Sequence, residues 1–345
     1  MYDEGTLKYL LLVGVALTGG SGCATFANVR SAVGGRRSRV VGGAAGIGVV
    51  TPGGGLPASR IPPYRCLMKR RTFVQSVGAA GASLALPRRG FVAASLDRIG
   101  LELYSVRNAM RLDPDRTLAA VRAIGYTDVE LLWSLQNFNR TPQQVRAALD
   151  HEGLRAPSAH IAPESILNGW ERSLDDARLL GHEYLIVPSL PDETQQSLDA
   201  WRTWADRFNV AGKVARSAGV WLAFHNEPDH MKRLDGAIPY DVFVERLDPA
   251  VVRLQLDVGN MAMGGGDPMR YLERYRDRYW SFHLKDVVAD RSRDTELGTG
   301  AFDFKRFLAA VPNIAHKPCY VEQEAPKDEL ASARANFSFL RTLVY

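Results

Sequence analysis

SLDAWRTWADRFNVAGKVARSAGVWLAFHNE, residues 197–227, holds the fold in miniature. Through 197–218 apolar residues recur at three-to-four spacing, the period of a helix that buries one face. Gly219 follows, where a helix C-terminus wants a left-handed residue that only glycine adopts freely. Residues 220–225 are then a short β-rich apolar run, and the chain turns polar at His225-Asn226-Glu227. Helix, glycine, strand and polar strand end make one unit of an alternating architecture.

The unit repeats outward in both directions. Apolar runs predict strands at 99–104, 128–132, 156–160, 184–187, 220–225, 252–257, 280–284 and 319–322. Helical spacing appears between them, at 116–124, 142–152, 171–180 and 268–275, and Gly125, Gly153 and Gly181 repeat the cap of Gly219. Eight such units in about 250 residues are the size and rhythm of a (β/α)8 TIM barrel, and four caps in register disfavour an open doubly wound sheet. The expectation is a single domain over 97–345.

Composition separates this domain from what precedes it. Residues 1–94 carry twelve Lys or Arg and only two acids, with a Gly, Ala, Ser and Arg middle that cannot form a core. The remaining 31 basic and 36 acidic residues give the domain a formal charge of −5, although the whole chain is +5. A negative domain argues against nucleic acid, whose affinity rests on cations that neutralise phosphates. Two of the three cysteines, Cys23 and Cys66, lie in the leader, so Cys319 has no partner for a disulfide within the barrel.

Residues 68–94, MKRRTFVQSVGAAGASLALPRRGFVAA, place Arg70-Arg71 before Phe73, a weakly apolar run and a small-residue end. This resembles a twin-arginine export signal. The expected partner is then the twin-arginine export machinery, and the expected location periplasmic or secreted. A signal belongs at an N-terminus, so translation is expected to begin at Met68, with 1–67 a disordered or spurious extension. The competing reading, a lipoprotein-like signal ending at Cys23, is weaker. Its apolar run, 10–17, is far short of the ~20 residues that span a bilayer, and no other segment is apolar enough.

Polar residues gather at the predicted strand ends, where this architecture places its chemistry. They are Glu130 in VELL, His160 in SAHI, His225-Asn226-Glu227, Asp257 in LQLDVGN, His283-Leu284-Lys285-Asp286, and Glu322-Gln323-Glu324. Residues two apart on a strand share a face, so His225 with Glu227, His283 with Lys285 and Glu322 with Glu324 can each point together. Singly each has a bland reading: a hydrogen-bonded histidine, a helix cap, or for Lys285 a salt bridge with Asp286 or another acid. Four consecutive strands ending in His, Asp, His and Glu are a different matter. Such charges in a partly dry site are costly unless a divalent ion relieves them. Mixed oxygen and nitrogen donors leave Mn²⁺, Zn²⁺, Co²⁺ and Mg²⁺ open, with two imidazoles favouring a transition metal. Trp170, Trp201 and Trp204, at helical spacing, read as packing before sugar-stacking platforms.

LELYSVR (101–107), AFHNE (223–227), LDVGN (256–260), GGDPMRYL (265–272), FHLKD (282–286), ELGTGAFDF (296–304) and VEQE (321–324) occur in an order and spacing that resemble the sugar phosphate isomerase/epimerase family, the xylose-isomerase-like barrels, over 97–345. The resemblance implies a divalent metal held by a carboxylate at strand five, Asp257 at six, His283 at seven and Glu322 at eight. Strand five departs, because His225 stands where many members have Glu. A subgroup has His-Asn-His there, and this chain has Glu227 for the second His. Either His225 or Glu227 completes the set, and His225 is preferred.

In the epimerases of this family the strand-five and strand-eight Glu move a proton across an enediolate, so this departure touches the mechanism. Glu227 or Glu324 is the expected base, Lys285 the group that polarises a carbonyl, His160 a donor to a hydroxyl, and Glu130 and Asn226 substrate contacts. The implied reaction is metal-dependent proton abstraction beside the carbonyl of a small carbohydrate. Returning the proton isomerises or epimerises; losing a β-substituent makes the enzyme a 3-keto-glycoside lyase or hydrolase. An exported enzyme points to an unphosphorylated substrate. Rival readings are a metal phosphodiesterase, disfavoured by few histidines and negative charge, and a non-catalytic sugar-binding barrel. A homodimer stays open.

Overall fold

The computed structural model describes residues 94–345. The export-signal and extension readings for 1–93 lie outside the described residues. Eight parallel strands close a barrel: β1 (Gly100–Glu102), β2 (Asp128–Leu132), β3 (Arg155–His160), β4 (Tyr184–Val187), β5 (Trp221–Phe224), β6 (Val252–Asp257), β7 (Tyr279–Leu284) and β8 (Cys319–Val321). Each pairs with its chain neighbours, and β1 with β8. The helices between them wrap the outside, burying faces such as Trp201, Trp204 and Phe208 on Leu198–Ser217. Trp170, Trp201 and Trp204 are all buried, so they pack the helix layer and offer no face to a sugar. Among the described residues no helix is long and apolar enough to cross a membrane.

Local chemistry accounts for the boundaries. Thr141 and Gln144 form a reciprocal capping box that starts Pro142–Glu152 where the spacing places it. The helix expected from 116 begins instead at Pro114, because Asp113 caps it by accepting from the Arg116 amide at 3.0 Å and proline suits the first turn. The first strand, expected over 99–104, stops at Glu102, where the chain turns into the 3₁₀ segment Leu103–Val106. Gly125, Gly153, Gly181 and Gly219 all take positive φ. At Gly125 a side chain would meet a second obstacle, since a Cβ would lie 2.4 Å from the Phe337 ring.

After β7 the chain forms a short hairpin, Asp286–Val287 against Asp294–Thr295, and a turn through residue 303. Asp286 pins it, its carboxylate accepting from the amides of Val287, Gly298, Gly300 and Phe302 at 2.9 to 3.1 Å. Asp286 is therefore not the partner of Lys285. The hairpin in turn holds β8's extension, Asp294 accepting from the Glu324 amide.

Candidate active site

His225 follows β5, Asp257 ends β6, His283 is the penultimate residue of β7 and Glu322 follows β8. Asp257 and His283 are paired residues in the sheet. The four side chains are buried, and each offers a donor atom within 4.8 Å of the others. Asp257 decides what this cluster wants. Its Oδ1 caps the following helical turn, accepting from the Asn260 amide at 2.7 Å. Its Oδ2 is buried and accepts no hydrogen bond of proper geometry, although Lys285 Nζ stands 3.0 Å away. Burial pushes the Asp257 carboxyl up to about 7. A buried carboxylate oxygen held by an ion pair alone retains lone pairs for a further cation, and a divalent ion would use them. The donor set, two imidazoles and two carboxylates, suits a transition ion.

Beneath the cluster a polar layer holds the rings in place. Glu130 is wholly buried and accepts from Gln255 Nε2 at 3.0 and 3.2 Å, from Ser158 and from His283 Nε2. Burial opposes its ionisation, but His160 and His283 hold its carboxyl well below the usual range. His283 Nδ1 meets Glu322 Oε2 at 2.7 Å. Against the cost of burial, Glu130 and Glu322 raise the His283 imidazole to about 10, so a cation taking Nδ1 would displace a proton. His225 is the opposite case. Burial, and then the neighbouring imidazoles, keep it well below its usual value and therefore neutral, the state that ligates. A carboxylate behind each ligating imidazole is the arrangement that fixes ring orientation at metal centres, and Glu130 fills that place for His283.

Residues 118–343 match the family described as the xylose isomerase-like TIM barrel. The chain belongs to that family. Within it, the inosose dehydratase of Geobacillus kaustophilus (strain HTA426) is 27% identical over 201 residues, 51% of this chain and 63% of that protein. The chain thus spans less than two thirds of this curated relative. A sugar phosphate isomerase/epimerase from Parabacteroides distasonis superposes with a TM-score of 0.62 at 24% identity, covering 72% of this chain and 95% of that one. The IolI protein, whose structure carries a bound zinc atom, superposes with a TM-score of 0.56 at 14% identity, covering 71% and 98%. Such distant structures speak to the fold.

Two carboxylates of this xylose isomerase-like barrel sit half-buried at the rim of the cluster, Glu227 and Glu324. One hydrogen-bonded path joins them. Glu227 Oε2 accepts from Asn260 Nδ2 at 3.1 Å; Lys285 Nζ donates to Asn260 Oδ1 at 2.8 Å and to Glu324 Oε1 at 2.9 Å. Lys285 has no exposed surface and also lies 3.2 Å from Glu322 Oε2. It is thus the fixed counter-charge of three acids, and its expected role of polarising a substrate carbonyl lacks an open path.

Three further residues expected at the substrate are buried, with partners inside the barrel. Glu130, expected at the substrate, is spent inside the barrel on Ser158, Gln255 and His283. Asn226 clips β5 to β6, its side chain donating to the Asp257 carbonyl at 2.9 Å and accepting from the Asp257 amide at 3.0 Å. His160 directs Nε2 at Gln255 (2.9 Å) and Glu130 (3.2 Å) and Nδ1 towards Glu102 (3.7 Å), so both ring nitrogens face buried acceptors. Sequence reasoning missed Glu102, Gln255, Asn260 and Asp294. Gln255 alone carried a readable signal: an amide in an apolar strand, two residues before Asp257 and so on its face.

Proposed function

We propose that this barrel is a divalent-metal-dependent enzyme that abstracts the proton beside the carbonyl of a small sugar or polyol derivative. The observation that carries the reading is the buried four-donor cluster of His225, Asp257, His283 and Glu322, whose rim holds two linked carboxylates. His225, Asp257, His283 and Glu322 would hold the ion, which when bound supplies Lewis acidity to a carbonyl oxygen. Glu227 and Glu324 are the groups that handle protons. Each is held by a donor, Asn260 for one and Lys285 for the other, so each carboxylate is oriented at the rim of the cluster.

With one carboxylate removing the α-proton, the two outcomes differ only in what happens next. If the proton returns to the opposite face of the same carbon, the product is an epimer; if it goes to the former carbonyl carbon while the hydroxyl proton moves to the former carbonyl oxygen, the product is an isomer. If the β-carbon–oxygen bond breaks and the second carboxylic acid protonates the departing oxygen, the product is an enone plus water or an alcohol. The curated relative named inosose dehydratase favours the second course; so do the unlike settings of the two carboxylates, Glu227 on an amide and Glu324 on an ammonium. We read the leader as an export signal, so the substrate is unphosphorylated; cell fractionation of an Arg70→Lys/Arg71→Lys chain should find the barrel retained inside.

The test is proton NMR in D₂O with the zinc-, manganese- or cobalt-loaded protein and a panel of ketocyclitols, 3-keto-glucosides and ketoses. Deuterium entering the α-carbon, with an epimer or an enone accumulating, supports the reading. No exchange with any member, by protein that demonstrably holds metal, overturns it.

A further inference from the structure

We infer that Gln255 sets the tautomer of His225 and thereby makes Nε2 the nitrogen that this chain offers to a metal. The argument is one of donor and acceptor inventory. Gln255 is wholly buried at the centre of β6. One end of its amide lies 3.0 and 3.2 Å from the two oxygens of Glu130. An ionised carboxylate only accepts, so that end is the NH₂ group. The other end is then the oxygen, and it lies 2.9 Å from His225 Nδ1 and 2.9 Å from His160 Nε2. An amide oxygen has no proton to give, so both ring nitrogens donate to it. His225 therefore carries its proton on Nδ1 and its lone pair on Nε2.

That lone pair points at the cluster. Nε2 stands 4.0 Å from Asp257 Oδ2 and 3.4 Å from Asn260 Nδ2. A carboxylate at this strand end would need no such help, because either oxygen ligates in any orientation. A histidine does, because a neutral imidazole with the wrong tautomer presents N–H to a cation. Gln255 is thus a positioning residue acting through His225, and Glu130 is the anchor that orients Gln255. The same layer presents His283 the other way round, with Nε2 held by Glu130 and Nδ1 toward Glu322. The inference rests on the metal proposed above for its consequence, but its structural half holds in metal-free protein.

The experiment has two arms on the full chain. Long-range proton–nitrogen NMR of ¹⁵N-histidine-labelled, metal-free protein, with His225 assigned by comparison with His225→Ala, should give the Nδ1–H tautomer. Zinc titration should then show Gln255→Leu binding about 10- to 100-fold more weakly than wild type, the range for lost partners of ligating histidines. In a His225→Ala background the same change should cost little more, since its effect runs through that ring. An Nε2–H tautomer on His225 in wild type overturns the inference whatever zinc does, and requires no variant to fold. An equal loss from Gln255→Leu with and without His225 overturns it too, by assigning Gln255 a general structural role. A wild type with the Nδ1–H tautomer that binds no zinc, cobalt or manganese overturns the metal reading instead.

Discussion

Arg253, Gln255 and Asp257 alternate along one face of β6, and the two ends of that face meet opposite fates. At the lower mouth the Arg253 guanidinium sits 3.9 Å from the Trp221 ring centroid and 4.3 Å from that of Trp280, the two indoles stacked at 6.4 Å. Arg216 covers the outer side of Trp221 at 3.6 Å. These cations lie over aromatic faces and stay partly exposed, so the arrangement closes the barrel with its charges still near water. At the upper mouth Asp257, Lys285 and His283 are wholly buried, and the charges are matched against one another, Asp257 Oδ2 by an ion pair with Lys285 and no hydrogen bond of proper geometry. A charged residue at a strand end is thus no sign of chemistry by itself. Buried imidazoles and carboxylates that face one another are a better sign than an unpaired atom alone, because unpaired buried atoms occur at the lower mouth too, at Arg253 Nε and Trp280 Nε1.

Substitutions at the two mouths should separate them. The largest effect is expected from Asp257→Asn, which removes a ligand carboxylate. Elemental analysis should find the chain without metal, and turnover should fall by about 10³-fold or more, as for loss of a group on which Lewis-acid catalysis depends. Lys285→Met comes next. It leaves Asp257, Glu322 and Glu324 without their shared cation, and removing one partner of such a buried set costs about 3–5 kcal/mol. Thermal melts of metal-free protein should register that loss, and zinc should recover much of it by replacing the missing charge.

Acid should act on the upper mouth through His230. It accepts from the Glu227 amide at 3.0 Å and packs on Trp201 and Phe224, and burial lowers its imidazole from 6.5 to about 3. In the unfolded chain this ring takes a proton as pH falls through 6.5; in the folded barrel it cannot until about 3. Stability is therefore complete above 6.5 and drains away as pH falls towards 3, with on the order of 3 kcal/mol lost from this group by pH 4.5. Urea melts at pH 7.5 and 4.5 should show the loss, and His230→Phe should reduce it. The smallest effect is expected at the lower mouth, where Arg253→Ala should cost about 1 kcal/mol or less and leave metal content unchanged. Metal loss there would erase the distinction between the two ends.

The strands and their order were legible because each is a short apolar run and four of the eight follow a glycine-capped helix, a pattern local in sequence. The buried cluster that could hold a metal was legible for the same reason: His225, Asp257, His283 and Glu322 mark four successive strand ends. Which layer of the barrel a strand-end residue enters was not legible. Glu130, Asn226 and His160 look as exposed to substrate as Glu227 does in sequence, yet strand register drops Glu130 and His160 into the layer below and turns Asn226 onto β6. Asn260 and Asp294 were invisible because their partners, Glu227, Lys285 and Glu324, come from other strands. Lys285 could be placed, but not whether three carboxylates would enclose it.

The central claim is that the His225 imidazole takes the place of a strand-five carboxylate in holding one metal ion. Elemental analysis of purified, zinc-reconstituted wild type, His225→Ala and Glu227→Ala tests it most directly. The account predicts about one zinc per chain in wild type and in Glu227→Ala, and almost none in His225→Ala. Zinc retained by His225→Ala and lost from Glu227→Ala would contradict it and make Glu227 the ligand.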